Sequence, residues 1–262
     1  IIVLLPLLLV VNASAAVPYS FGKVQTLGPH DTLIQDELFR VLTADTVGFV
    51  YYQNGRELSG SIDDPSSFTI LENGIALSGH KILGKFVKLH HMGHIPEPYL
   101  PATLVGVIYV KLARPMVEGR NYRFKSKGVS SRDIDVRFTW SAKTVLSHSI
   151  KVNQIGYLPD SRIRLAYLGK WLGTGGALEP KVKDFYVIDL ETGKIVFKDV
   201  AKMRHRAGQK NEGAYKQDFS GENVYELDFS GLKKSGSYCI SMPGIGRSYS
   251  FRIGPDVMAE PL

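Results

Sequence analysis

The sequence has a single cysteine and little sign of helical periodicity. Because Cys239 is alone among 262 residues, the chain can form no internal disulfide and no cysteine-ligated zinc or iron–sulfur site. The near absence of amphipathic helical patterns excludes helical bundles and coiled coils. Stability must therefore come from packing, for which 44% apolar residues are sufficient.

Strong charge of either sign is also missing. The formal net charge is +7, and it divides into about +3 on residues 18–147 and about +4 on residues 148–262. A mildly basic surface of this kind does not indicate a nucleic acid as partner. A local basic excess between Lys198 and Lys216 is interpreted as a solvated polar loop, with contact to an acidic polysaccharide or a nucleic acid as the alternative.

One long apolar run stands at the N-terminus. It extends from Ile1 to Val11 and leads to Ala13-Ser14-Ala15, which has the small-x-small form of a signal-peptidase site. The run is shorter than the roughly 20 residues of a membrane-spanning helix, and no later segment resembles one. We predict a signal peptide over residues 1–16 whose start is truncated, and hence a secreted or periplasmic protein. The alternative is a buried N-terminal strand.

The rest of the chain consists of short segments in which apolar and polar residues alternate. Turn-forming Gly, Pro, Asn and Asp separate these segments, which predicts antiparallel strands and an all-β fold. Two hairpins are expected, with turns at 191–193 and 242–246. Strands are predicted at 46–52, 82–89, 103–112, 134–140, 184–190, 194–200, 225–229, 238–242 and 249–253.

Two tyrosines occupy similar positions in the two halves of the chain. Tyr122 and Tyr238 each open a strand shortly after a turn that contains Gly119 or Gly236. In immunoglobulin-like (Ig-like) sandwiches such a tyrosine packs against the preceding corner and hydrogen-bonds to its backbone. We therefore predict two tandem Ig-like β-sandwiches, at residues 17–146 and 147–257, with 258–262 beginning a further region.

Histidines and carboxylates offer weak candidates for chemistry. His90, His91 and His94, with His80 nearby, form the one histidine cluster, but Gly93 and the surrounding sequence indicate a solvated loop rather than a metal site. The acidic pairs are Asp63-Asp64, which is typical of a turn, and Asp133 with Asp135, for which surface ion pairing with arginines is expected rather than glycoside hydrolysis.

The candidate nucleophiles and the glycine-rich loop are also weak evidence for a catalytic or binding site. Ser220 lacks a nucleophile-elbow motif, and Cys239, without an activating partner, is predicted to be a packed residue. The segment Gly173 to Gly176 lacks the lysine of a phosphate-binding loop and is predicted to be flexible. We expect no catalytic residue, no cofactor and no metal. Tyr51, Tyr52 and Trp171 remain candidates for a sugar-binding platform, although most aromatic residues should be buried.

Residues 147–257 resemble the N-terminal Ig-like domain of family 9 glycoside hydrolases, the cellulase-type enzymes. The most specific part is the run Lys151 to Ser161, KVNQIGYLPDS, which resembles the opening strand of that domain. The matching segments that follow in order are Phe185 to Asp189, Leu227 to Leu232, Gly236 to Tyr238 and Ser248 to Gly254.

The resemblance implies a non-catalytic domain that packs against a downstream (α/α)-barrel. The barrel's Asp-Ala-Gly-Asp run is absent from these 262 residues, so no catalytic residue is carried over. We expect the accessory N-terminal portion of a secreted cellulase-type enzyme, with the barrel as partner and a β-glucan as candidate ligand. The alternative is a stand-alone carbohydrate-binding or cell-surface adhesion module. The expected interdomain contact is Asn153, Gln154, Ile155, Gly156 and Tyr157.

Overall fold

The computed structural model describes residues 38–54, 63–89, 103–129, 133–210 and 214–259. These ranges contain seventeen β-strands, and their helical residues are confined to short 3-10 turns, which confirms the predicted all-β class. None of the helical turns in these ranges is long and apolar enough to cross a bilayer. The predicted signal peptide and the histidines at 90, 91 and 94 lie outside the described residues.

The buried apolar side chains form two clusters, which define an N-terminal unit (residues 38–145) and a C-terminal unit (residues 146–259). In the N-terminal unit, antiparallel sheets with strand orders β1-β2-β6-β5 and β4-β3-β7-β8 enclose the core. Its strands are β1 (Phe39–Thr43), β2 (Thr46–Asn54), β3 (Phe68–Glu72), β4 (Ile75–Ala76), β5 (Lys81–Leu89), β6 (Thr103–Lys111), β7 (Asn121–Ser126) and β8 (Ile134–Thr139).

The C-terminal unit has the same layered plan. Its sheets have the orders β13-β14-β10-β9 and β12-β11-β15-β16, and β17 also pairs with β15. Its strands are β9 (Ile150–Lys151), β10 (Leu165–Leu168), β11 (Asp184–Asp189), β12 (Ile195–Val200), β13 (Lys202–His205), β14 (Val224–Asp228), β15 (Gly236–Met242), β16 (Gly246–Arg247) and β17 (Phe251–Ile253).

Strand alternation places the core as the sequence predicted. In β8 the apolar Ile134, Val136 and Phe138 are buried while the residues between them are exposed, because side chains alternate across a strand. Phe138 stacks on Phe124 of β7 with ring centroids 5.6 Å apart. The predicted hairpin of β11 and β12 is also present, and Gly193 in its turn has φ +68°.

Both strand-opening tyrosines bond to the corner that precedes them, as predicted. The Tyr122 hydroxyl accepts a hydrogen bond from Val117 N at 2.9 Å and donates to Glu72 at 3.0 Å. The Tyr238 hydroxyl donates to the Lys234 carbonyl at 2.9 Å. In each unit the hydroxyl therefore finds a partner although its ring is buried.

Glu72 is a buried carboxylate of the N-terminal unit, and three partners compensate its burial. Arg120 donates to Glu72 at 2.8 Å, Arg114 pairs with the other carboxylate oxygen, and Tyr122 supplies the third bond. Hydrogen bonding to Arg120 is the main cause that lowers the pKa of Glu72 to about 2. Glu72 therefore stays charged in the folded protein and links β3 to the loop before β7.

The two units are joined by direct hydrogen bonds rather than by a free linker. Arg247 N donates to the Val145 carbonyl at 2.9 Å, and His148 N donates to the Val41 carbonyl at 3.0 Å. The hydroxyls of Ser147 and Ser149 both donate to the Leu42 carbonyl at 2.8 Å. These contacts fix the orientation of one unit against the other along β1 and β16.

The segment Gly173 to Gly176 also belongs to this junction, and the prediction of a flexible loop is wrong. Residues Gly173–Gly175 form a 3-10 turn on a bulge of β5, where the Thr174 hydroxyl donates to the Leu83 carbonyl at 2.6 Å. Gly173 has φ +64°, and a Cβ there would collide with the same carbonyl. The glycine therefore allows close approach between the units.

Other departures from the sequence prediction have the same kind of cause. The segment 198–216 is not one loop, because β12 extends to Val200 and β13 covers Lys202–His205. Tyr249 lies outside β17 and stacks edge-on against His148, with centroids 5.9 Å apart. The pairing of β13 with β14 and the packing of Tyr249 on His148 are contacts within the C-terminal unit between segments that local periodicity does not relate.

Candidate functional site

The predicted contact segment, Asn153 to Tyr157, is a tight loop and not a strand edge. β9 ends at Lys151, and the chain then bends because the Asn153 side chain competes for its hydrogen bonds. The Asn153 carbonyl oxygen Oδ1 accepts from Ile155 N at 3.1 Å, and Asn153 Nδ2 donates to the Gly156 carbonyl at 2.9 Å. One asparagine thus closes the loop, which we call the docking loop (residues 153–157).

Tyr157 anchors the docking loop in the core. Its hydroxyl accepts from Asn153 N at 3.0 Å and donates to the Leu165 carbonyl at 2.8 Å. Its ring meets Phe229 and Phe251 edge-on, with centroid distances of 5.0 and 5.4 Å. Burial raises the pKa of Tyr157, so at neutral pH the hydroxyl keeps the proton that it donates.

Gly156 allows the loop to lie directly on β17. Its φ of +119° is unfavourable for residues with a side chain, and a Cβ at this position would lie 2.8 Å from the Arg252 carbonyl and 2.9 Å from Val257 Cγ1. Beside it, Tyr157 N donates to the Arg252 carbonyl at 2.9 Å, and Gly254 N donates to the Tyr157 carbonyl at 3.1 Å. Backbone contact therefore fixes the loop on both sides.

Arg164 supports the neighbouring loop and was not predicted from the sequence. It is fully buried, and its guanidinium donates to carbonyls of Leu158 at 3.0 Å, Ser161 at 2.6 Å, Ser230 at 3.0 Å and Leu232 at 3.1 Å. A charged residue between Ile163 and Leu165 at the start of a strand is the one sequence signal for it. Backbone carbonyl oxygens, rather than a carboxylate, therefore accept the hydrogen bonds of the Arg164 guanidinium.

The docking loop presents its remaining side chains to solvent. Asn153 and Gln154 are exposed, and Ile155 is 48% exposed. Ile163 and Met258 are also exposed at this end of the unit, where the chain continues beyond Val257. A fixed backbone that carries exposed apolar side chains suits contact with another protein surface. The loop contains no carboxylate, histidine, lysine or arginine, and the Tyr157 hydroxyl is engaged with Asn153 N and the Leu165 carbonyl.

The remaining sequence candidates occupy structural positions. Asp64 caps the 3-10 turn Pro65–Ser67, and Asp135 forms an ion pair with Arg123 across β7 and β8. Cys239 is buried, as predicted, and His80 Nε2 lies 2.9 Å from the Pro65 carbonyl. Within the described ranges no three His, Cys, Asp or Glu residues lie close enough together to hold a metal ion.

The proposed sugar-platform residues are not equivalent. Trp171 meets Tyr109 of the N-terminal unit edge-on, with centroids 5.9 Å apart, and is packed beneath Gly221. Trp171 is therefore a junction residue rather than an open platform. The side chains of Tyr51 and Tyr52 lie outside the described residues.

The layered sheets of the C-terminal unit and the corner bond of Tyr238 are typical of an Ig-like domain. Residues 146–247 match the family model of the cellulase N-terminal Ig-like domain. The family match ends before β17, which supplies the partner of the docking loop.

Two curated proteins and one solved structure are similar to part of this chain. Endoglucanase D of Acetivibrio thermocellus, and the protein of the same name from strain ATCC 27405, are each 26% identical over 111 residues, which is 42% of this chain. The matched region spans only 14% of the length of these relatives. The crystal structure of a metagenome-derived glycoside hydrolase family 9 endoglucanase is 28% identical, covering 40% of this chain and 18% of that chain, with a TM-score of 0.32.

Proposed function

We propose that this chain is the accessory, non-catalytic N-terminal portion of a secreted family 9 glycoside hydrolase of the cellulase type. In this proposal both units are Ig-like sandwiches, and the C-terminal unit supports a downstream catalytic barrel that degrades a β-glucan. The family match over residues 146–247 carries the proposal. The relatives named endoglucanase D support polysaccharide degradation as the setting.

The docking loop is the proposed contact with the barrel. Support comes from its rigidity, since Asn153, Gly156 and Tyr157 are each held by hydrogen bonds or close backbone contact. Further support comes from its position, because Gly156 contacts Val257 and the chain leaves the unit at this end. A rigid loop beside the exit point can meet the next domain without an entropic cost for ordering.

The proposed contact is tested with Ile155→Asp in the polypeptide that includes the catalytic domain. Placing a charge in an apolar interface costs about 2 kcal/mol or more, so the thermal midpoint and the activity on a soluble β-glucan should both fall. The same substitution in the 262-residue chain should leave its midpoint unchanged, because Ile155 is exposed there.

Val200→Asp is the matched control. Val200 is 46% exposed against 48% for Ile155, but it lies at the end of β12, opposite Asp184 and away from the docking loop. Because its new carboxylate stands opposite Asp184, the control should lose a little stability, by the same amount in both polypeptides, and should keep its activity. Equal effects of the two substitutions in the longer polypeptide would contradict docking through Ile155.

A further inference from the structure

The loop that precedes β14 displays two isolated aromatic rings to solvent. Tyr215 is 89% exposed and Phe219 is 69% exposed, the highest values for aromatic side chains in the described ranges. We call residues 214–223 the aromatic loop. Two exposed rings in one short loop present flat apolar faces that are accessible to a ligand.

The backbone of the aromatic loop is fixed by one carboxylate. Asp218 accepts hydrogen bonds from Gly208 N at 2.7 Å, from Ser220 N and Oγ at 2.9 Å, and from Gly221 N at 3.0 Å. Tyr215 and Lys216 have φ of +59° and +53°, a conformation that residues with side chains seldom adopt. The Asp218 bonds therefore fix the backbone next to Phe219, and Tyr215 lies in the adjacent 3-10 turn Ala214–Lys216.

The aromatic loop lies at the opposite end of its sheet from the docking loop. β14 runs antiparallel to β10, with Tyr225 opposite Leu168 and Asp228 opposite Leu165. The docking loop precedes β10 and bonds to Leu165, whereas the aromatic loop precedes β14 and is adjacent to the far end of β10. Tyr215 and Phe219 therefore lie at the end of the sheet away from the proposed contact with the barrel.

The surroundings of the rings select the kind of ligand. Lys216, Gln217 and Ser220 adjoin the rings in the chain and are exposed, so polar groups accompany the rings, whereas a protein interface or a membrane surface requires a continuous apolar patch. Flat rings with hydroxyl, amide and charged groups beside them match the apolar C–H faces and hydroxyl edges of pyranose sugars.

We propose that the aromatic loop binds a polysaccharide chain, with Tyr215 and Phe219 stacking on its sugar rings. The proposal uses the proposed function only to choose a β-1,4-glucan as the first probe. Neutral and acidic polysaccharides share the stacking chemistry, and Lys216 would add attraction to an acidic one.

Affinity electrophoresis of the 262-residue chain tests this binding. Native gels contain hydroxyethyl cellulose as a neutral probe or polygalacturonate as an acidic probe. The unchanged chain should be retarded in at least one gel, and Tyr215→Ala with Phe219→Ala should weaken the binding about tenfold or more. Tyr215→Trp should keep the retardation, because it preserves a stacking surface.

Ile75→Ala serves as the control, since Ile75 is 75% exposed on β4 of the other unit. Both the control and the double variant should keep the thermal midpoint of the unchanged chain. Absence of retardation in both gels, or equal retardation of the double variant, would overturn the proposal. The double variant should not alter the stability effect of Ile155→Asp, so this test and the docking test can fail independently.

Discussion

Replacement of Gly156 by alanine tests whether the docking loop is fixed by backbone contact. The added Cβ would lie 2.8 Å from the Arg252 carbonyl and 2.9 Å from Val257 Cγ1, at a φ of +119°. The backbone strain costs about 1–2 kcal/mol. Movement away from Arg252 would weaken the two hydrogen bonds that join Tyr157 to β17, at about 1 kcal/mol each.

The expected loss is therefore about 3 kcal/mol in the free energy of unfolding. Urea-induced unfolding of the 262-residue chain measures it, and the thermal midpoint should fall by roughly 6–12 °C. Gly193→Ala is the control, because Gly193 has φ +68° but nothing within 4 Å of an added Cβ, so only about 1 kcal/mol should be lost. Equal losses in the two variants would refute the close contact at Gly156.

Two further predictions concern charge. Burial lowers the pKa of His148 to about 3. The ring in the unfolded chain protonates near pH 6.5, so below that pH unfolding takes up a proton. The free energy of unfolding should therefore fall by up to about 1.4 kcal/mol per pH unit as the pH is lowered from 6.5 to 5. His148→Asn should flatten this slope in urea titrations at pH 7, 6 and 5. These pH values lie above the range in which Glu72, with its pKa of about 2, affects the slope. An unchanged slope would rule out His148 as its source. Glu72→Gln should lower the free energy of unfolding by about 2 kcal/mol in the same assay, since it breaks a buried network. Asp135→Asn, at an exposed ion pair, should lower it by at most about 1 kcal/mol. Equal losses would contradict the difference between the buried and the exposed pair.

Local pattern predicted the strands and their inward faces because a half-buried strand imposes a period of two. The residues of β8 and the corners at Tyr122 and Tyr238 are examples in which short-range sequence is sufficient. The resemblance to a known domain indicated the position of the docking loop in the sequence, but it did not predict the conformation of the loop. The contact of Gly156 with the Arg252 carbonyl of β17 joins segments about a hundred residues apart.

The junction between the units was beyond local pattern for the same reason. Ile108, Tyr109 and Val110 are all buried, and the cover over Tyr109 is Trp171 of the other unit. Likewise Ser241 of β15 is buried because its hydroxyl donates to the Ala142 carbonyl at 2.7 Å. The local sequence does not reveal that such a polar residue is buried, since its hydrogen-bond partner comes from a distant part of the chain.

The central claim is that these residues support a catalytic domain in the same polypeptide. Reading the coding DNA beyond codon 262 tests it most directly. The account predicts a long open frame that encodes a family 9 catalytic barrel with an Asp-Ala-Gly-Asp run. A stop codon directly after Leu262 would contradict it.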